Sequence, residues 1–168
     1  DGRQIKASEE MIESVSVQLS ASQMSNSCEV VIFCDHDHGR STIGNIISRA
    51  SAGKKIRVEM GYRLTKPVFL GYINAAGVSF SEDGVTLTLS CLDARGLLMG
   101  NTSRESFENK SVSQIVKELL EPVRGYTDGI TVSVPGAADK EYPIVSHDMD
   151  DYQFVCMLAK LSGCTFYM

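Results

Sequence analysis

Apolar and polar residues alternate in short runs through the first half of the chain, and this period of two predicts half-buried strands. Ile56 and Val58 alternate with Lys55, Arg57 and Glu59 before Gly61 and Tyr62. Val85, Leu87, Leu89 and Cys91 alternate with Thr86, Thr88 and Ser90, and that run stops at Asp93. Between them Val68, Phe69, Leu70, Tyr72 and Ile73 form an apolar run interrupted by Gly71. A glycine in mid-strand predicts a bend, a bulge or a close backbone approach.

Val15, Val17 and Leu19 predict a further strand within residues 11–20, followed by a polar loop over 20–27. Residues 28–34 are almost continuously apolar, which predicts a strand covered on both faces. After a loop over 35–40, Ile43, Ile46 and Ile47 fall at helical spacing and predict a short amphipathic helix over 42–50. Residues 51–55 read as a turn and 63–67 as a short connection, while Glu82-Asp83-Gly84 is a hairpin signal. Five strands with short links in the first 98 residues predict an antiparallel barrel or a strongly curved sheet.

The periodicity changes after Asp93. Ser111 and Gln114 form a capping-box pattern that opens a helix with Val112, Ile115, Val116, Leu119 and Leu120 on one face. Pro122 and Gly125 are expected to end it. Residues 130–134 read as a short strand closed by Pro135 and Gly136. A second helix is predicted over 150–161, with Phe154, Val155, Leu158 and Ala159 inward and Gly163 at its C-terminal end. The fold class expected is α+β and mainly β, with a barrel-like domain over 1–98 and an α+β segment over 99–168.

The chain has 168 residues, 43% apolar and 22% charged, which is a globular composition with enough length for one ordinary core or two small ones. Its net charge of −5 argues against a general nucleic-acid binder, so no nucleic-acid specificity is expected. No apolar run approaches the roughly 18 residues of a membrane span. The start, Asp1-Gly2-Arg3-Gln4, has neither Met nor an apolar signal region. Residues 164–168 read as a strand cut before its turn, so the chain is expected to be a fragment lacking sequence at least at its C-terminus. Cys28, Cys34, Cys91, Cys156 and Cys164 are odd in number, show no CxxC and sit in apolar stretches. They read as reduced core thiols of a protein made in the cytoplasm.

Candidate chemistry is sparse. Cys34, Asp35, His36, Asp37 and His38 are the one cluster with metal-ligand character, but a structural zinc site takes four ligands in tetrahedral array, and a solvated loop accounts for these residues. His147-Asp148 precedes a helix, where Asp148 or Asp150 can cap N–H groups. Carboxylates are paired at Glu9-Glu10, Glu82-Asp83 and Asp150-Asp151; a turn and a helix start account for the last two without glycosidase chemistry. There is no G-x-S-x-G, G-x-G-x-x-G or P-loop pattern. Lys54, Lys55, Arg57 and Arg63 form a basic cluster that reads as a solvated strand edge or a surface for a tube partner. No catalytic, cofactor-binding or metal residue is assigned, and no cofactor is expected.

Several of these signatures together resemble the phage late control protein D family, the baseplate hub proteins of contractile tails, which are related to the spike-carrying VgrG proteins of type VI secretion. The resemblance covers roughly residues 28–168. Residues 53–62 resemble the family's entering strand, and Phe69, Gly71 and Ile73 its F-x-G-x-I strand. The run over 87–93 followed by Leu97 and Leu98 resembles the strand that ends in Asp. Ser111 to Val116 resembles the helix start that follows, and residues 150–159 with Gly163 a helix in which Tyr152 stands where a Trp is usual. The chain departs from the pattern in having no Trp at all.

The resemblance implies a non-enzymatic structural hub that joins the tail tube to the spike. Family hubs are trimers whose paired barrel-like domains build a pseudo-sixfold ring, and the segment over 99–168 would begin the second such domain. Expected partners are further copies of the chain, tube proteins and spike proteins, within a phage tail or phage-like particle. A tail-associated cell-wall hydrolase is the alternative, and it would show two facing acids or a Ser/His pair in a cleft. A carbohydrate- or peptide-binding barrel is disfavoured by six Phe, six Tyr and no Trp.

Overall fold

The computed structural model describes residues 11–20, 25–35 and 40–167. The chain divides into two compact units between Asp93 and Ala94. The fold is α+β and mainly β, its larger antiparallel sheet curled into a half-barrel.

The first unit is built on five strands, β1 (Ile12–Gln18), β2 (Ser27–Asp35), β3 (Lys55–Met60), β4 (Lys66–Phe80) and β5 (Gly84–Leu92), with helix α1 (Arg40–Arg49) between β2 and β3. The sheet order is β1-β2-β5-β4-β3, and every pair is antiparallel. The core lies on one face, where register places Cys28 opposite Cys91, Val30 opposite Leu89 and Ile32 opposite Leu87. Phe69, Ile73 and Ala50 complete it. Strand β2 therefore buries one face only: Glu29 is exposed while Val31 and Phe33 are half-buried. Its apolar run reflects β-branched and aromatic strand propensity at the outward positions rather than a second covering layer. Burial pushes the Cys28 thiol up to about 11, helped by Glu29, and the Cys91 thiol up to about 12, so both stay protonated at neutral pH.

Gly71 is a close-approach glycine. A Cβ built there would fall on the Leu92 carbonyl oxygen and come within 3.0 Å of the Asp93 Cα. The strand is irregular on both sides of Gly71: the register with β3 shifts where Val58 faces Phe69 and Glu59 faces Pro67, and the register with β5 shifts between Ile73 and Ala75. The second bulge divides the strand. Residues 66–72 pair with β3, and residues 72–80 with β5.

The second unit contains α2 (Ala94–Gly100), β6 (Glu105–Ser111), α3 (Val112–Leu120), a 3₁₀ turn (Glu121–Tyr126), β7 (Glu141–His147) and α4 (Asp151–Leu161). The expected boundary at residue 98 falls inside α2, because Ala94 and Leu98 belong to this unit's core. Strands β6 and β7 form a two-stranded antiparallel sheet. The core gathers Phe107, Ile115, Leu119, Phe154, Val155 and Leu158. Helix α3 starts as its capping box predicts, with the Ser111 N–H donating to the Gln114 Oε1 at 2.8 Å. It ends at Leu120, just before Pro122, and the chain tightens into the 3₁₀ turn, with Pro in the first positions where its missing N–H costs nothing.

Two expected strands are absent. Residues 130–134 form no ladder, although Ile130, Val132 and Val134 pack on the core in alternation. Residues 164–167 are not in a strand either: the Cys164 N–H closes helix α4 on the Ala159 carbonyl at 2.8 Å, and the Phe166 ring lies 5.6 Å from that of Tyr152.

Candidate assembly site

The feature of the first unit with most capacity for interaction is the outer edge of β4. From Lys66 to Tyr72 that edge is covered by β3, and the ladder continues through Gly53 N–H to Ile73 O at 2.8 Å and Ile73 N–H to Lys54 O at 2.9 Å. Beyond the bulge, residues 75–80 bond β5 on one side, and no described strand pairs with the other. Both faces of this half-strand are exposed. Strand β1 forms the opposite edge of the sheet. Among the described residues the sheet is thus open along β1 on one side and along β3 and the far half of β4 on the other, and an open edge offers a row of N–H and C=O groups to another strand.

The sheet face away from the core is small and hydroxylated. Register aligns Ser16, Glu29, Ser90 and Ala75 in one row and Ser14, Val31, Thr88 and Gly77 in the next. A shallow groove of about 300 Å³ there is lined by Ser16, Gln18, Glu29, Asn74 and Ser90, among others. Its one carboxylate is Glu29.

Asp93, where β5 ends, is a structural anchor. Its Oδ2 accepts the Asn26 N–H at 3.1 Å, its own N–H donates to the Asn26 carbonyl at 3.1 Å, and the Asn26 Oδ1 accepts the Ser20 N–H at 2.8 Å. These bonds tie the loop before β2 to the end of β5.

His36, Asp37 and His38 lie outside the described residues, as do Glu9 and Glu10. Among the described residues no three His, Cys, Asp or Glu side chains group to hold a metal ion. Glu82 and Asp83 sit in the exposed β4–β5 turn, and Asp150 caps α4, its Oδ1 accepting the Gln153 N–H at 2.8 Å. In the basic cluster Arg57 pairs with Glu59 at 2.8 Å, while Arg63 is exposed at the β3–β4 turn.

His147 is a buried residue rather than a surface neighbour of a cap. Its Nδ1 lies 3.1 Å from the Ser103 carbonyl and its Nε2 3.4 Å from the Asp151 Oδ1, and its ring meets those of Phe154 and Phe107 edge-on at 4.2 and 6.5 Å. The Asp151 Oδ2 accepts from the Asn101 Nδ2 at 2.6 Å. A His at i and an Asp at i+4 across a helix start is a spacing visible in the sequence; its burial was not, because β7 was unrecognised. The pair is closed to solvent and so is not placed to act on a substrate.

No protein-family model matches the chain, and no curated protein does. Solved structures do share the fold. One is the 43 kDa tail protein of prophage MuSo2 from Shewanella oneidensis, similar with a TM-score of 0.57 and 19% identity over 83% of this chain and 40% of that one. Another is the E. coli c3393 protein, a type VI secretion component described as structurally similar to the T4 bacteriophage tail proteins gp27 and gp5. It matches with a TM-score of 0.50 and 13% identity over 88% of this chain and 43% of that one. The chain spans about two-fifths of each of these proteins. The class of fold is thus one found in phage-tail and type VI secretion proteins. No helix among the described residues is long and apolar enough to cross a membrane.

Proposed function

We propose that this chain is a structural, non-enzymatic part of the hub of a contractile tail or a related secretion machine, where tail tube meets spike. The observation that carries the reading is that, among the described residues, one curled sheet is left open at dissimilar edges, β1 on one side and β3 with residues 75–80 of β4 on the other. Two different edges favour a head-to-tail contact between neighbours, and such contacts close into rings when the rotation allows. The second unit would begin the next domain of the same ring. Tube and spike proteins are the remaining partners, and assembly takes place in a tail or tail-like particle after synthesis in the cytoplasm.

The shared fold with a prophage tail protein and a type VI secretion component supports this reading.

The test is the solution mass of the full-length protein by light scattering. A trimer is expected, with an interface burying at least about 1,200 Å² in total. A full-length protein that stays monomeric at about 50 μM, well above the Kd of interfaces of that size, overturns the reading.

A further inference from the structure

Strand β4 carries an apolar, charged turn at each end, and the two charges are opposite. At its start, the β3–β4 turn exposes Tyr62 at 99% and Leu64 at 81% of their surface. Arg63 and Lys66 are exposed beside them. The turn is tightly drawn, because a Cβ at Gly61 would fall on the Leu64 carbonyl oxygen and within 3.0 Å of the Thr65 Cα. Glu59, the nearest carboxylate in sequence, is answered locally by Arg57 at 2.8 Å and by the Thr65 hydroxyl at 3.4 Å. Arg63 and Lys66 therefore set the sign of this tip.

At the far end Phe80 is 79% exposed, next to exposed Glu82 and Asp83. That turn is closed by the Ser81 N–H on the Gly84 carbonyl at 2.8 Å. None of Arg63, Lys66, Glu82 and Asp83 has an ion-pair partner among the described residues. Since β4 has 15 residues, the two tips stand up to about 50 Å apart, at opposite ends of one strand.

Large apolar side chains exposed together with charge mark interaction surfaces. Two copies meeting by like tips would set equal charges against each other. The basic tip of one copy against the acidic tip of the next satisfies both, and it places Tyr62 and Leu64 against Phe80. We infer that copies of this chain associate end to end, the β3–β4 turn of one seating on the β4–β5 turn of the next. The contact is heterologous and runs along the strand direction, so it stacks copies rather than closing a pair. It goes beyond the hub reading, which concerns the sheet edges and not the strand ends.

Sedimentation velocity on the 168-residue chain tests it. From about 10 μM to about 1 mM, at an ionic strength near 0.01 M where the Debye length is about 30 Å, the weight-average mass should rise with concentration. It should fall back toward the monomer at about 0.5 M salt. The variant Arg63→Glu/Lys66→Glu should weaken association at least about tenfold, and Glu82→Lys/Asp83→Lys should do the same, since each sets like charges together. Mixing the two variants should restore association, because each then carries the tip that the other has lost. A chain combining all four changes should associate like the parent.

A parent chain that stays monomeric throughout, a reversal at either end that leaves association unchanged, or a mixture of the two variants that stays monomeric would each overturn the inference. The result is separable from the hub reading, since Val78→Pro, which alters a sheet edge, should leave end-to-end association intact.

Discussion

His147, the last residue of β7, and Asp151, the first of α4, stand with Nε2 3.4 Å from Oδ1, and neither atom has another partner. The Ser103 carbonyl can only accept, so the His147 Nδ1 carries a proton and the ring's other nitrogen must settle with the carboxylate. The two side chains, with Asn101, tie the end of β7 to the start of α4 and to the loop after α2.

Removing one member of this pair leaves the facing atom of the other, Nε2 or Oδ1, buried with nothing opposite it. Asp151→Ala should therefore cost about 2–4 kcal/mol in urea unfolding, and His147→Ala a similar amount. The double variant should cost clearly less than the sum, because the coupled atoms vanish together. Strict additivity in the cycle would show that the two groups do not act as a pair.

Gly71 admits no side chain because the Leu92 carbonyl occupies the place of its Cβ. Even Gly71→Ala should lose about 3 kcal/mol, and Gly71→Val more, well beyond the roughly 1 kcal/mol range of strand propensity. Urea midpoints decide it. An Ala variant as stable as the parent would mean that β4 and the end of β5 separate at little cost.

Asp139 links the segment before β7 to the start of α3. Its carboxylate accepts the Ser113 N–H at 2.8 Å and the Ser113 hydroxyl at 2.7 Å, and these bonds, the backbone one foremost, hold its pKa below the usual carboxylate value. A pKa depressed in the folded state stabilises the fold above the unfolded value, near 4, and that contribution is lost as pH falls through the folded one. Asp139→Asn should lower the melting temperature at pH 7 and flatten its fall below about pH 4. Parallel melting curves of variant and parent on acidification would sink this account.

How much of this was legible in the sequence depends on how each element earns its place. Strands β2, β3 and β5 and helices α3 and α4 bury one face each, so their periodicity shows. Strand β6 buries little beyond Phe107 among Glu105, Glu108 and Lys110, and β7 leaves Tyr142 and Ile144 exposed. Both are held by pairing with each other, which leaves no period to read. Residues 130–134 show the converse: Ile130, Val132 and Val134 alternate and pack on the core, yet no strand among the described residues lies alongside to make a ladder. The length of β4 was hidden for a related reason, since Asn74 to Phe80 is exposed on both faces and carries no apolar run. That stretch is the candidate assembly edge, so what makes it open for a partner also made it unreadable.

The edge itself gives the sharpest test of assembly. The Ser81 N–H bonds the Gly84 carbonyl, and in an antiparallel ladder bonded and non-bonded pairs alternate. Phe80–Val85, Val78–Leu87 and Ala76–Leu89 are then the non-bonded pairs, so the N–H groups of Ala76 and Val78 point away from β5 toward the open side. Proline at Val78 removes one outward donor without breaking a β4–β5 bond, and prolines are tolerated on edge strands for this reason. Val78→Pro should leave the monomer's urea midpoint within about 1 kcal/mol of the parent. Under the proposed hub reading it should abolish the trimer expected of the full-length protein, since β1 of a neighbour would meet a blocked edge. Val85→Pro is not an equivalent control, because β5 is flanked by strands on both sides and proline there should unfold the sheet. A Val78→Pro protein that still sediments as a trimer would move the subunit contact away from β4 and leave the open edge without a role.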